Sequence, residues 1–148
     1  MDIPLGIAAV TYTTDHGDPL TFHRPTVAVL FLQKSGQWVR LRSIVDTGAP
    51  LSVVPFAVWN DRQLAWSSVS KKLTRAGRVS ALLWQGVPCE LGYTDVDLSG
   101  RRRLIAKLVL GPTALADVIL GLNFLIDNDI ELALRAVGGC LSGFLTAP

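Results

Sequence analysis

The sequence predicts one all-β domain carrying one or two short helices. Short β-branched and apolar runs alternate with Gly, Pro, Asn and Asp turn signals along nearly its whole length. Hydrophobic residues make up 49% and charged residues 18%, a balance that builds a packed core and excludes a disordered chain. No linker, low-complexity tract or shift in composition divides residues 1–148, so they read as a single domain.

The elements follow in order. Ile7 to Thr13 is β-prone and is broken by Asp15-His16-Gly17-Asp18-Pro19. Thr26 to Gln33 is a continuous apolar run, Lys34-Ser35-Gly36 turns it, and Trp38 to Val45 completes a hairpin. Pro55 suits a first helical position, with Phe56, Val58 and Trp59 forming a face before Asn60-Asp61. Lys71 to Leu83 reads as two strands meeting near Gly77. Val87 to Asp97 and Arg103 to Leu110 read as a hairpin turning at Ser99-Gly100. Asp117 to Gly121 is a strand, Leu122 to Asn128 a short helix, and Ile130 to Leu134 and Cys140 to Leu145 closing strands around Gly138-Gly139.

Several function classes are excluded or unsupported. A formal charge of +2 is too small for a nucleic-acid footprint, and the basic clusters at Lys71-Lys72-Arg75-Arg78 and Arg101-Arg102-Arg103 lack interleaved aromatics and read as solvated hairpin tips. Cys89 and Cys140 make neither a metal spacing nor a disulfide framework and are expected to be buried structural thiols. No signal peptide or membrane-spanning run is apparent, so a soluble cytoplasmic protein is expected. His16 and His23 sit beside no nucleophile motif and are expected to face solvent. Asp127-Asn128-Asp129-Ile130-Glu131 lacks the glycine and ligand register of a calcium loop and reads as a helix end. Asp95 and Asp97 are expected on a solvated strand face, and Trp38, Trp59, Trp66 and Trp84 in core or interface.

Chemistry concentrates at Ser43-Ile44-Val45-Asp46-Thr47-Gly48-Ala49-Pro50. An acid stands at the end of an apolar strand, where Ile44, Val45, Val53 and Val54 are expected to bury it. A buried carboxylate is costly without hydrogen bonds or a partner. Gly48 permits a tight turn, and the Thr47 hydroxyl can bond backbone groups and fix the loop. A second apolar strand, Val118-Ile119-Leu120, likewise ends at a glycine, Gly121.

Val45-Asp46-Thr47-Gly48-Ala49 followed by Ile119-Leu120-Gly121-Leu122-Asn123-Phe124-Leu125, with Gly111-Pro112-Thr113 just ahead of the second motif, resembles the retropepsin-like aspartic proteases. The likeness is closer to cellular and bacterial members than to retroviral ones, and it runs from roughly Val27 to Leu125. It implies an acid-protease barrel with a flap hairpin and a homodimer in which two copies of Asp46 meet across a twofold axis. Two carboxylates so placed share one proton, so that one acts as general base on water and the other as general acid on the scissile carbonyl. By the same resemblance Thr47 locks the two loops together, and Gly48 leaves room for the backbone of an extended polypeptide bound by strand addition. The resemblance puts Arg75, Ala76, Gly77 and Arg78 in the flap, and Ala49, Pro112, Thr113 and Ala114 in the cleft wall. It implies no metal or organic cofactor, no nucleic acid and no membrane, and acidic conditions as the working range. Retroviral enzymes pair an acid after the Ala with an Arg after the second Gly; here those positions are Pro50 and Leu122, absent together, so neither leaves an orphan charge. Leu141 to Leu145 is the expected intersubunit strand. The alternative is a catalytically silent dimerisation or peptide-binding module on the same fold.

Overall fold

The computed structural model describes residues 2–84, 86–98, 102–111 and 116–148. The chain opens with β1 (Asp2–Pro4) and β2 (Gly6–Thr13); β3 (Pro19–Leu32) returns along β2 and continues against β4 (Trp38–Val45). Beyond Asp46 come β5 (Ser52–Pro55) and α1 (Phe56–Arg62), then the short strands β6 (Ser67–Ser70), β7 (Lys72–Arg75), β8 (Arg78–Ala81), β9 (Leu83–Trp84) and β10 (Val87–Pro88). A long hairpin, β11 (Glu90–Leu98) and β12 (Arg102–Gly111), leads to β13 (Val118–Leu120), α2 (Leu122–Asp127), β14 (Glu131–Val137) and β15 (Cys140–Thr146). This is the all-β architecture with two short helices that the sequence predicts.

Six strands close on themselves in the order β3, β4, β13, β5, β12, β11 and back to β3. Among the described residues the last seam pairs Val96 with Phe31 and Asp97 with Leu30. Alternating side chains of these strands fill the barrel, and Val29, Phe31, Val54, Val96, Leu98 and Leu120 have essentially no solvent exposure. A smaller cluster of Val53, Leu82, Cys89, Val109 and Ile119 packs outside this core.

β13 is the topological keystone. It pairs in parallel with β4, setting Leu120 opposite Val45, and touches β5 at Ile119 and Val53. Its all-apolar sequence is buried throughout, as a strand covered on both faces requires.

Several elements depart from expectation. β3 begins at Pro19, not Thr26: its first half forms an exposed arm with β2, whose apolar face places Val10 opposite Phe22 and Tyr12 opposite Leu20. Prolines at 19 and 25 mask that strand in the sequence. Pro55 ends β5 and caps α1 instead of opening it, and Phe56 is exposed while Val58 and Trp59 pack on the core. The Ser99-Gly100 turn lies outside the described residues.

The ends of the chain form a separate sheet, β1–β15–β14. β15 is its middle strand, held along β14 on one side and by β1 at Phe144 to Thr146 on the other. Of the expected intersubunit strand, Leu141 to Leu145, Phe144 and Leu145 are therefore paired on both sides within one chain while Leu141 to Gly143 pair with β14, whose other edge pairs with no strand among the described residues. Cys140 begins β15 next to the Gly138-Gly139 turn and is exposed, contrary to expectation, whereas Cys89 is buried as expected. Among the described residues no helix is long and apolar enough to cross a membrane.

Candidate active site

Asp46 is the first residue after β4. Its N–H donates to Leu120 O at 3.0 Å, its carbonyl accepts from Ala49 N at 3.2 Å, and its carboxylate Oδ1 accepts from Gly48 N at 2.9 Å. These three bonds fix both backbone and side chain, an Asx-type turn in which the loop's own N–H orients the acid. Within one chain Asp46, Thr47 and Gly48 are exposed and Ala49 is half-buried. The expected burial of Asp46 by its apolar neighbours does not occur. Val45 and Val54 turn into the barrel, Val53 packs in the smaller outer cluster, and β4 ends at Val45, leaving the carboxylate at the rim.

The loop is held from behind by the second motif. Leu122 N donates to Ala49 O at 2.8 Å and Asn123 N to Pro50 O at 3.2 Å. Thus the two positions that depart from the retroviral pattern, Pro50 and Leu122, lie beside each other through backbone bonds. Ser52, in the fully buried β5, donates its N–H and its Oγ–H to Asn123 Oδ1 at 2.7 and 2.8 Å, while Gly121 N donates to Ser52 Oγ at 2.9 Å. A Cβ added at Gly121 would stand 2.5 Å from Ala49 O and 2.8 Å from the Leu51 carbonyl, so only glycine admits this approach. Ser52 is missed by motif reading; its signal is a serine opening an otherwise apolar strand, where a buried hydroxyl must find a partner.

A cavity of about 470 Å³ adjoins Asp46 and Thr47. Its walls include Phe22, His23 and Arg24 from the arm, Ile119 from β13, and Leu132 and Leu134 from the free-edged β14. His23 is exposed, as expected, but it borders this cavity, as does Arg24. An acid, a threonine and two basic residues thus meet an otherwise apolar surface.

Other predicted site residues fall elsewhere. Arg75, Ala76, Gly77 and Arg78 form the β7–β8 turn, with Ala76 and Gly77 at φ +50° and +75°, as a two-residue hairpin of this hand requires. All four are exposed, and none lines the cavity beside Asp46. Pro112, Thr113 and Ala114 lie outside the described residues. The loop at Asp127 is a helix end: Asn128 Nδ2 donates to Phe124 O at 2.9 Å and to Ile105 O at 3.2 Å, and Asp129 takes φ +52°. Among the described residues no cluster of three His, Cys, Asp or Glu side chains is arranged to hold a metal ion. Asp95 and Asp97 are half-buried, because their strand lies in the barrel wall.

The Arg42 guanidinium is held above its usual value by its hydrogen bond to Asp117, 2.9 Å, and by that carboxylate's charge. This exposed pair ties β4 to the approach to β13. Burial pushes the Cys89 thiol up, which keeps it protonated and unreactive.

No protein-family model matches the sequence, and no curated protein matches it. Among solved structures the chain is similar to a retropepsin-like aspartic protease from Rickettsia conorii, at 12% identity and TM-score 0.48 over 97% of this chain and 96% of that one. It is also similar to the EIAV protease complexed with the inhibitor HBY-793, at 21% identity and TM-score 0.45 over 83% of this chain and 100% of that one.

Proposed function

We propose that the chain is an aspartic endopeptidase whose catalytic centre is completed by a second copy. The observation that carries this reading is the Asp46 loop: an exposed carboxylate oriented by Gly48 N–H, on a rigid rim, with one such acid per chain. An acid held this firmly, yet left open to the outside, is placed for a reaction and not for support.

In the dimer the two Asp46 side chains approach and share one proton. The unprotonated carboxylate takes a proton from the attacking water, whose oxygen bonds to the scissile carbonyl carbon. The protonated one gives its proton to the carbonyl oxygen, forming a neutral tetrahedral diol. Collapse of the diol breaks the C–N bond as the amine nitrogen takes a proton from the dyad, leaving an acid and an amine. Thr47 joins the two loops, Gly48 admits the substrate backbone, and Ala49 borders the cleft. The substrate is a polypeptide in extended form, and the reaction calls for no metal or organic cofactor.

Cleavage of a mixed peptide library between acid and neutral pH, wild type against Asp46→Asn, tests the reading. Products formed only by wild type, strongest at acid pH and suppressed by a statine-type peptide, support it. Absence of products from either form, at concentrations where sedimentation shows a dimer, overturns it in favour of a binding module on this fold.

A further inference from the structure

β14 runs for seven residues, Glu131-Leu132-Ala133-Leu134-Arg135-Ala136-Val137, and its ladder with β15 continues unbroken from Glu131–Thr146 to Val137–Cys140. Its other edge pairs with no strand among the described residues. Such an edge presents a row of N–H and C=O groups, which proteins commonly blunt with proline, a bulge or a very short strand. The far edge of this sheet is blunted in that way, because β1 is three residues long and ends in Pro4. β14 carries no proline and no bulge.

Alternation places Glu131, Ala133, Arg135 and Val137 on one face of β14, and Leu132, Leu134 and Ala136 on the other. Leu132 and Leu134 line the cavity beside Asp46 and Thr47, so the second face is turned toward the candidate site. Leu134 is 46% exposed there. On the first face Glu131 and Arg135 are exposed and make no ion pair among the described residues. Four residues separate them, roughly 13 Å along a strand, which is too far for them to pair with each other.

We infer that β14 is the strand that joins two copies of this chain, pairing antiparallel with the partner's β14 about a twofold axis at Ala133. This rests on the aspartic-protease reading, which requires a second copy, and names the surface that holds it. A twofold pair keeps each residue on its own face, so the register is centred on a residue and never between two. Centred on Ala133, it opposes Glu131 to the partner's Arg135, and Arg135 to the partner's Glu131. Leu132 then meets the partner's Leu134, and a small side chain stands on the axis. Centred on Leu134, it would instead set Glu131 against the partner's Val137 and Arg135 against the partner's Ala133. Opposed unlike charges stabilise a cross-strand pair, so the first register wins. Its axis passes between Leu132 and Leu134 into the cavity that they line, and so brings the two Asp46 loops toward each other. Both open edges are consumed in the contact, and association stops at two.

Sedimentation equilibrium of charge-swapped chains tests the register. Glu131→Arg and Arg135→Glu should each weaken the dimer about tenfold, because each sets like charges opposite one another at both ends of the ladder. The double swap, Glu131→Arg/Arg135→Glu, should return to within about threefold of wild type. Cysteines give a second readout, in a Cys140→Ser background treated with diamide. Ala133→Cys should link into a dimer, its Cβ atoms about 5 Å apart, whereas Ala136→Cys, about 20 Å from its counterpart, should not. Single swaps that dimerise as wild type, a double swap no tighter than the singles, or linkage at 136 in preference to 133 overturns the inference. Cleavage separates it from the reading beneath it. An active enzyme whose dimer ignores the swaps overturns the inference alone, and a dimer with the expected pattern that cleaves no peptide overturns the protease reading alone. A chain that stays monomeric at every concentration and cleaves nothing overturns both.

Discussion

The ends of β4 and β13 begin alike and finish differently. Val45 and Leu120 are paired, apolar and buried, and each strand runs straight into a loop containing glycine. After Val45 the chain comes out to solvent as Asp46, Thr47 and Gly48; after Leu120 it goes in, through buried Gly121, to a helix that plants Phe124 and Leu125 in the core. One loop carries the exposed acid and the other holds that loop in place. The division shows how a marginally stable fold keeps an acid both exposed and fixed: the polar partners that immobilise it are spent on backbone atoms behind the carboxylate, and the carboxylate itself is left nearly free.

If the division holds, function and stability separate cleanly between the two segments. Asp46→Asn preserves an acceptor for Gly48 N–H and lowers kcat/KM by about 10³-fold or more while the denaturation midpoint stays within error of wild type. A large loss of stability in that variant would show that Asp46 is structural. Gly121→Ala reverses the pattern. Its methyl group meets Ala49 O and the Leu51 carbonyl, and unfolding in urea should show a loss of about 3 kcal/mol. A variant that folds normally would mean that the two loops are less tightly joined than the backbone bonds imply. Asn123→Ala leaves the Ser52 N–H and hydroxyl without their acceptor inside a buried strand and should cost about 2 kcal/mol. Activity then falls only as far as the Asp46 loop loosens.

The two thiols give the smallest effect and the simplest measurement. Iodoacetamide at neutral pH should modify exposed Cys140 and spare buried Cys89 until the protein unfolds, as mass spectrometry of peptides reports. Because the Cys89 thiol is raised in the folded state, its contribution to stability is whole below the unfolded-state value and is lost as pH rises through the folded one. Cys89→Ser should flatten that alkaline decline. Equal reactivity of both thiols would place Cys89 in solvent and count against its packing with Val53, Leu82, Val109 and Ile119.

Much of this organisation was legible in the residues. Both motif strands are short apolar runs ending at glycine, and such runs bounded by turn residues admit few alternatives. What escaped the reading depends on contacts distant in the chain. The exposure of Asp46 turns on where β4 leaves the barrel. The Ser52–Asn123 link joins residues that no local pattern relates. Gly77 marks the β7–β8 turn because a turn glycine is conspicuous, whereas the packing of Leu82 and Trp84 against Val53, Val109 and Ile119 joins residues far apart in the chain. The place of β15 between β14 and β1 could not be read either, since β1 is too short to announce itself.

The seam that closes the barrel has a kinetic meaning. Among the described residues Leu30 and Phe31 meet Val96 and Asp97 through two residue pairs, although the strands concerned are long and belong to hairpins that can form independently. Local hairpins incur little loop-closure entropy; a join between remote segments incurs more and recovers little until its neighbours are in place. The cylinder should therefore be fastened last, with pulse-labelled amides at the seam protected after those within the β3–β4 and β11–β12 ladders. Until that moment the Asp46 loop rests on an open, curling sheet, so the site acquires its rigidity only in the final step of folding.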